Sequence, residues 1–598
     1  MEKITRWGRS VTPDNCLREY PRPSMQRDSY LNLNGLWDYR IDKGGAAADV
    51  YDGKILVPFS PEAPLSGVER QLKPGEILRY HRTFRADDLS GHMLLHFGAV
   101  DQQCEVSVNG RSVGSHVGGY LPFSFDITEY LNEGENDLDV RVTDDSDTSF
   151  HARGKQTLNP DGMWYTAQSG IWQTVWAEHV PDRYITKLRM VPDLDRERLK
   201  LRVFTNADSE GGDAQYEIRL NHALLCKGKA PVGKQVRIDI PEVHPWSPED
   251  PQLYDMVVRF KGDEVRTYFA MRKIAIREDD DGILRFFLNN EPYYMSGVLD
   301  QGYWPDGLYT APSDEALEYD IATMKSLGFN MLRKHIKIEP DRWYYHCDRL
   351  GMLVWQDMVN GGETYNSMFV TYLPTIFMFM QRTVKDYSGD HLPLVHPGRL
   401  FLSLRQKLLG RQRIEGRLEF IHEVKETILT LFNHPSIVVW VPFNEGWGQF
   451  DAGYVSELVG KLDPSRLVDE ASGWFDRKGG DIFSIHNYFV RLKVRPKKDR
   501  VVALTECGGY SWPMPEHSEG EQVYGYRKYH SREELMRGLN RLWNRDLLPN
   551  VEKGLSASVF TQVSDVETEV NGLMTYDREE IKVDTEKMRA LNEALKSF

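Results

Sequence analysis

The run VVWVPFNEGWGQF (Val438 to Phe450) reads as a buried strand of β-branched and aromatic residues that stops on a polar pair, Asn444 and Glu445. A second apolar run, VVALTE, stops on Glu506. One polar strand end is ordinary, a cap where the core gives way to a turn. Two glutamates at strand ends facing one opening can do more. A protonated carboxyl group can donate to a leaving oxygen while an ionised one attacks or supports a sugar cation, which is what glycosidic cleavage requires. Closeness itself divides the two states, because each charge opposes the other. The rival uses lack their signatures. Nothing like His-Glu-x-x-His suggests a metal, and no Gly-x-Ser-x-Gly elbow suggests a serine hydrolase.

The elements that must hold such a pair follow from the pattern after about Asp280, where short apolar strands alternate with helical segments. EPYYMSGVLD, FNMLRKHI, GMLVWQDM, SIVVWVPFNE, SRLVDEASG, DIFSIHNY, RVVALTE and LSASVFTQVSD make eight strands, the number of a (β/α)8 TIM barrel over 278–598. Their carboxyl ends carry Asp300, then Arg333 to His335, Asp357, Asn444 with Glu445, Glu470, His486 to Tyr488, Glu506 and Gln562. Residues 1–180 read as an all-β jelly-roll sandwich, with a type I′ hairpin expected at Asn109-Gly110. Residues 181–277 have the strand rhythm of an immunoglobulin-like sandwich, its last strand drawn from VRTYFAMRKIAI. The segment 365–416 reads as an elaborated connection that ends in a basic, solvated helix face.

Composition narrows the partners. With 74 basic and 89 acidic residues the formal charge is −15, which disfavours nucleic acid and anionic membranes. The opening residues lack the apolar core of a secretory leader, and the longest apolar block, Met368 to Met380, is too short to span a bilayer. Five scattered cysteines without metal-type spacing read as free thiols in a reducing cytoplasm. The expectation is a cytoplasmic protein with a small glycoside or oligosaccharide as substrate, no cofactor, no metal, and self-association left open.

HPSIVVWVPFNEGWGQFD and ALTECGGY resemble the acid/base and nucleophile motifs of glycoside hydrolase family 2, and VPFSPEAPLSGVERQ and SGIWQTVWAE resemble its N-terminal sugar-binding domain. The resemblance implies Glu445 as general acid/base, Glu506 as nucleophile and Asn444 as partner of the sugar 2-hydroxyl. It implies Tyr488 beside the nucleophile, and Asp300 and His335 at the glycone. His486, at the same rim, is a further candidate contact, and Trp304, Trp447 or Trp512 could supply a stacking face. The family's glucuronidases carry an Asn-any-Lys motif. The matching stretch here reads Glu569-Val570-Asn571, and a glutamate there would repel a uronate. The leading expectation is therefore a retaining, exo-acting glycosidase of β-galactosidase type. A glucuronidase, galacturonidase or arabinosidase is the alternative, and a non-catalytic carbohydrate-binding protein the alternative of another class.

Overall fold

The computed structural model describes residues 4–44, 50–376, 404, 406–519 and 522–596. The first sandwich opposes a six-stranded antiparallel sheet, centred on Ile77–Ala86 and Gly134–Thr143, to a four-stranded sheet built on Val175–Val180 and His92–Phe97. Alternating side chains from both sheets, among them Trp37, Ile55, Leu95, Phe97, Val106 and Val140, fill the space between them. The hairpin at Asn109-Gly110 has positive φ at both residues, 51° and 70°, as the primed turn requires. The second sandwich packs three strands against four between Ile185 and Phe269, around Leu201, Ile218, Tyr254 and Val258.

The run VRTYFAMRKIAI does not form one strand. Asp263–Phe269 closes the second sandwich, and the chain then leaves it to pair Ile274–Glu278 with Leu284–Leu288. This hairpin packs Ile274 and Phe286 against the barrel interior, with the Phe286 and Trp355 rings edge to face at 5.9 Å. The alternation of apolar residues is the same in both sheets, so local pattern alone cannot tell which sheet a strand joins.

The eight barrel strands are β1 (Met295–Asp300), β2 (Met331–Lys334), β3 (Leu353–Asp357), β4 (Ile437–Val441), β5 (Leu467–Val468), β6 (Ile482–Asn487), β7 (Val501–Gly508) and β8 (Leu555–Thr561). They pair in parallel in the order β5-β4-β3-β2-β1-β8-β7-β6. The remaining seam between β5 and β6 is bridged by the Asp481 N–H donating to the Val468 carbonyl at 2.7 Å. The strands are buried on both faces, which is why they read as continuous apolar runs. Helices α1 (Asp314–Ser326), α2 (Asp341–Leu350), α3 (Ile414–Leu431), α4 (Ala452–Leu462), α5 (Arg532–Leu542) and α6 (Thr585–Lys596) flank the strands in sequence.

Of the connection expected over 365–416, residues 377–403 and 405 lie outside the described residues. Its basic end is not all solvated. Arg411 is buried and donates to the carbonyls of Gly448 at 2.9 Å and Gly416 at 3.0 Å, tying the connection to the loop after β4. All five cysteines are free, four of them buried. Among the described residues no helix is long and apolar enough to cross a membrane.

Candidate active site

β4 leads through Pro442 and Phe443 into a sharp turn. Glu445 itself has φ of 49°, a conformation that costs a non-glycine residue energy and tends to persist where the surroundings hold it. Here its N–H donates to the Ser472 carbonyl at 2.9 Å, beside a bridge between Asn444 and Ser472. Gly446 and Gly448 complete the turn because nothing larger fits. A Cβ on Gly446 would lie 2.5 Å from the Phe475 ring, and one on Gly448 2.3 Å from the Gly361 carbonyl. Glu506 is aimed by irregularities in β7, whose pairing slips between β6 and β7 and again between β7 and β8 around Thr505 and Glu506. Such bulges turn a side chain out of the regular alternation.

The two glutamates and His486 each bring one donor atom to within 4.8 Å of the other two. His486 Nδ1 lies 2.7 Å from Glu445 Oε1 and 3.5 Å from Glu506 Oε2, while its Nε2 faces the Ser472 hydroxyl at 2.9 Å. The trio is of metal-ligand type, although the sequence carries no ligand spacing and no metal is expected. Barrel closure gathers ligand types that no short sequence spacing announces.

The environments of the two carboxylates differ. Arg333 Nη1 donates to Glu506 Oε1 at 3.1 Å and the Tyr488 hydroxyl to Oε2 at 2.6 Å. Burial would raise the Glu506 carboxyl, but the charges of His486 and Arg333 and the Tyr488 hydrogen bond prevail and hold it well below the ordinary glutamate value. Glu445 is more open, and its Oε2 takes no hydrogen bond from another described residue.

Arg333 organises the floor. Fully buried, it forks onto Asp357 (2.9 and 3.0 Å) and also donates to Asn444 Oδ1 at 2.8 Å and the Thr505 carbonyl at 3.1 Å. Asp357 also faces His335 Nδ1 at 2.8 Å. Burial, then the charges of Lys155 and Arg333, keep the His335 ring neutral. Lys334 is committed to Asp300 Oδ2 (2.7 Å) and Glu339 (2.8 Å).

The predicted residues thus divide. Glu445, Glu506, Asn444, His486 and Tyr488 form one connected group, and His335 joins it through Asp357. Asp300 is engaged on both oxygens, by Lys334 and by the Gly302 N–H at 2.9 Å. Trp304 is buried under Arg578, whose guanidinium lies 4.0 Å from the ring. Trp512 packs against the barrel core, its backbone N–H donating to the Val570 carbonyl. Trp447 remains at the mouth, its ring 5.1 Å from Trp164 and 6.4 Å from His335.

Sequence reasoning set Arg333 on the rim without giving it a role, and it passed over Trp474 and Tyr526. Trp474 stands edge to face with His486 at 5.4 Å, and the Tyr526 ring is 4.5 Å from Tyr488. Only Arg333, at a strand end beside two candidates, carried a signal. Several buried polar atoms around the mouth have no partner among the described residues: Asn444 Nδ2, Gln562 Nε2, Asn571 Oδ1 and Trp474 Nε1. Each such atom costs about 1–3 kcal/mol unless water or a ligand satisfies it.

A carboxylate pair at the carboxyl-terminal rim of a TIM barrel, behind two β-sandwiches, defines a barrel of the kind that cleaves glycosidic bonds. Three family models match in succession: "Glycosyl hydrolases family 2, sugar binding domain" over residues 70–181, "Glycosyl hydrolases family 2" over 183–272, and "Glycosyl hydrolases family 2, TIM barrel domain" over 282–498. The chain belongs to glycoside hydrolase family 2. It is 23% identical over 479 residues to a β-galactosidase of Thermoanaerobacter pseudethanolicus, covering 76% of this chain and 56% of that one. It is 25% identical over 421 residues to a putative β-glucuronidase of Formosa agariphila, covering 67% of this chain and 34% of that one. The chain therefore spans about half or less of these relatives. Among solved structures, the β-D-glucuronidase of Dictyoglomus thermophilum superposes with a TM-score of 0.71 at 17% identity, covering 97% of this chain and 99% of that one. A β-galacturonidase of Eisenbergiella tayi bound to galacturonate gives 0.68 at 18% identity, with the same coverage. At these identities the superpositions speak for the fold.

Proposed function

We propose that the chain is a retaining, exo-acting β-glycosidase working by double displacement. The observation that carries this reading is the closeness of the two carboxylates, with oxygens within 4.8 Å of each other. Retaining enzymes hold their pair at roughly 5–5.5 Å, too close to admit an attacking water between them. Glu506, kept ionised by Arg333 and Tyr488, attacks the anomeric carbon. Glu445 gives its proton to the departing oxygen, and a glycosyl ester forms on Glu506. Glu445, now a carboxylate, takes a proton from water, which attacks the same carbon and returns Glu506 to its ionised state. The unpartnered Asn444 amide is positioned to donate to the glycone 2-hydroxyl while Arg333 holds its carbonyl. Loop 151–166 of the first sandwich docks on the barrel mouth through an Ala152–Gly361 bridge, which favours attack at a chain end.

Glu445→Ala tests the reading. Dinitrophenyl glycosides depart without protonation, so glycosylation should survive, whereas alkyl glycosides should lose about 10²–10⁴ in rate. Azide should rescue the second step and give a glycosyl azide of retained configuration. Equal loss with both leaving groups and no azide product would refute the assignment. For the glycone, the relatives' names divide between galactosides, in line with the sequence expectation, and glucuronides. An unpartnered cation in the mouth favours the acid sugar.

A further inference from the structure

Lys155 belongs to the first sandwich but stands in the barrel mouth. The loop that carries it is fixed there by backbone bonds: the Arg153 and Gly154 N–H groups donate to the Asn360 carbonyl at 3.0 and 3.1 Å, just beyond β3. Two glycines make the approach possible. A Cβ on Gly361 would lie 2.2 Å from the His151 carbonyl, and one on Gly154, where φ is 60°, would lie 2.9 Å from the Ile336 carbonyl. Lys155 is then pinned from behind, its carbonyl accepting from the Tyr165 N–H at 3.0 Å.

The residue is 5% exposed, and its ammonium has no hydrogen bond or ion pair with any described residue. It lies over the rings of Tyr165 (5.6 Å) and Trp447 (5.8 Å). Aromatic faces return only part of what an ammonium loses on leaving water. Of the other buried cations of this region, Arg333 is paired with Asp357 and Glu506, Lys334 with Asp300 and Glu339, and Lys582 with Asp565, while Arg153 donates to the Gly362 carbonyl and Arg411 to those of Gly448 and Gly416. Lys155, 5% exposed, has neither a carboxylate nor a carbonyl partner among the described residues.

Its position is beside the catalytic rim. Trp447 follows Glu445 by two residues and touches His335, and Lys155 is the foremost charge acting on that histidine. Lys155 forms no ion pair with Glu445 or Glu506, so it can meet an anionic substituent of a sugar without neutralising the nucleophile. Glu569 is engaged within the protein: one of its oxygens accepts from the Tyr165 hydroxyl and the other from Asn571 at 2.9 Å, which fixes the ring beneath Lys155.

We propose that Lys155, delivered by the first sandwich, binds an anionic group on the glycone, so that the substrate is an acid sugar with a carboxylate at C5. The Lys of the Asn-any-Lys motif missing from this sequence is thereby replaced from another domain. The proposal rests on the barrel mouth being the glycone site, but binding can test it without turnover.

The experiment measures binding of D-glucuronate, D-galacturonate, glucose, galactose and galactose 6-sulfate by calorimetry, for the wild type, Lys155→Met and Lys155→Arg. Thermal melts check that each variant is folded. The expected result is that at least one uronate binds tenfold or more tighter than its neutral counterpart. Lys155→Met should weaken that sugar by about 10²–10³-fold, the cost of stranding a buried charge, and leave neutral sugars within about threefold. Lys155→Arg should restore part of the preference. Tightest binding of galactose 6-sulfate, lost in Lys155→Met, would keep the anionic glycone and overturn the C5 carboxylate. Neutral sugars binding as tightly as acid ones, or a preference that survives Lys155→Met, would overturn the role of Lys155 while leaving the double-displacement reading to the azide test.

Discussion

Arg333→Lys is the perturbation that reaches furthest into the site, because it keeps the charge and removes only the fork. Arg333 makes five contacts, two to Asp357 and one each to Asn444, Glu506 and the Thr505 carbonyl. A lysine offers three donors from one point, so at least two contacts go and the planar grip on Asp357 cannot be rebuilt. Hydrogen bonds to charged groups are worth about 1.5–3 kcal/mol each, and a partial replacement should cost about 2–4 kcal/mol in stability. Catalysis should lose about 10²–10³-fold in kcat/KM, or about 3–4 kcal/mol of transition-state stabilisation, since Asn444 and Glu506 are freed together. The sign of the pH effect also follows. A depressed carboxyl group stays ionised as pH falls through the ordinary glutamate range and is protonated only below it. A lysine drawn to Asp357 cannot also reach Glu506, so less positive charge faces that carboxylate, Glu506 protonates at higher pH, and the acidic limb moves up. The assay is the profile of kcat/KM from about pH 3 to 8 on a dinitrophenyl glycoside, whose departure needs no proton, so the limb reports the nucleophile. An unmoved limb with a rate within about threefold of wild type would show that Arg333 does not set the state of Glu506.

Glu506→Gln should lose turnover on every leaving group, and the wild-type first product, followed by proton NMR, should keep its anomeric configuration; an inverted product would remove the covalent intermediate. Activity should withstand dialysis against EDTA, because His486 Nδ1 faces Glu445 and both oxygens of Glu506 already accept hydrogen bonds; loss restored by one divalent ion would make Glu445, His486 and Glu506 a metal site instead. His434, buried between Asp348 (2.7 Å) and Asp341 (3.4 Å), would be lowered by burial alone, but the two carboxylates raise it to about 9. Its contribution, about 3 kcal/mol at most, is present below the ordinary histidine pKa and lost as pH rises through about 9. The melting temperature should therefore fall over that alkaline span, and His434→Gln should be less stable at neutral pH and show a flatter decline.

The barrel was legible because most of its eight strands are short, largely apolar runs bounded by turns and alternating with helical segments, as buried parallel strands require. Glu445 and Glu506 were legible for the same reason, as carboxylates interrupting such runs at their carboxyl ends. The second sandwich was readable as a rhythm of strands, but the fate of Ile274–Glu278 was not, since an alternating strand fits either sheet until packing chooses one.

The brace behind the glutamates lay beyond that kind of reading. Arg333 meets Asp357, Asn444 and Glu506 only because three strands distant in sequence close into one ring, and no spacing records which polar strand end faces which. Asp300 and Trp304 have residue types suited to a sugar, yet the fold commits one to Lys334 and covers the other with Arg578. Lys155 sits in a β-domain stretch with nothing local to distinguish it from a surface lysine. Its burial and missing counter-charge arise from the docking of one domain on another. Residue type and periodicity specify which atoms are available and which strands they end. Which charges are neutralised, and which are left for a substrate, depends on contacts between distant segments, because electrostatic energies are set by distance and burial rather than by order along the chain.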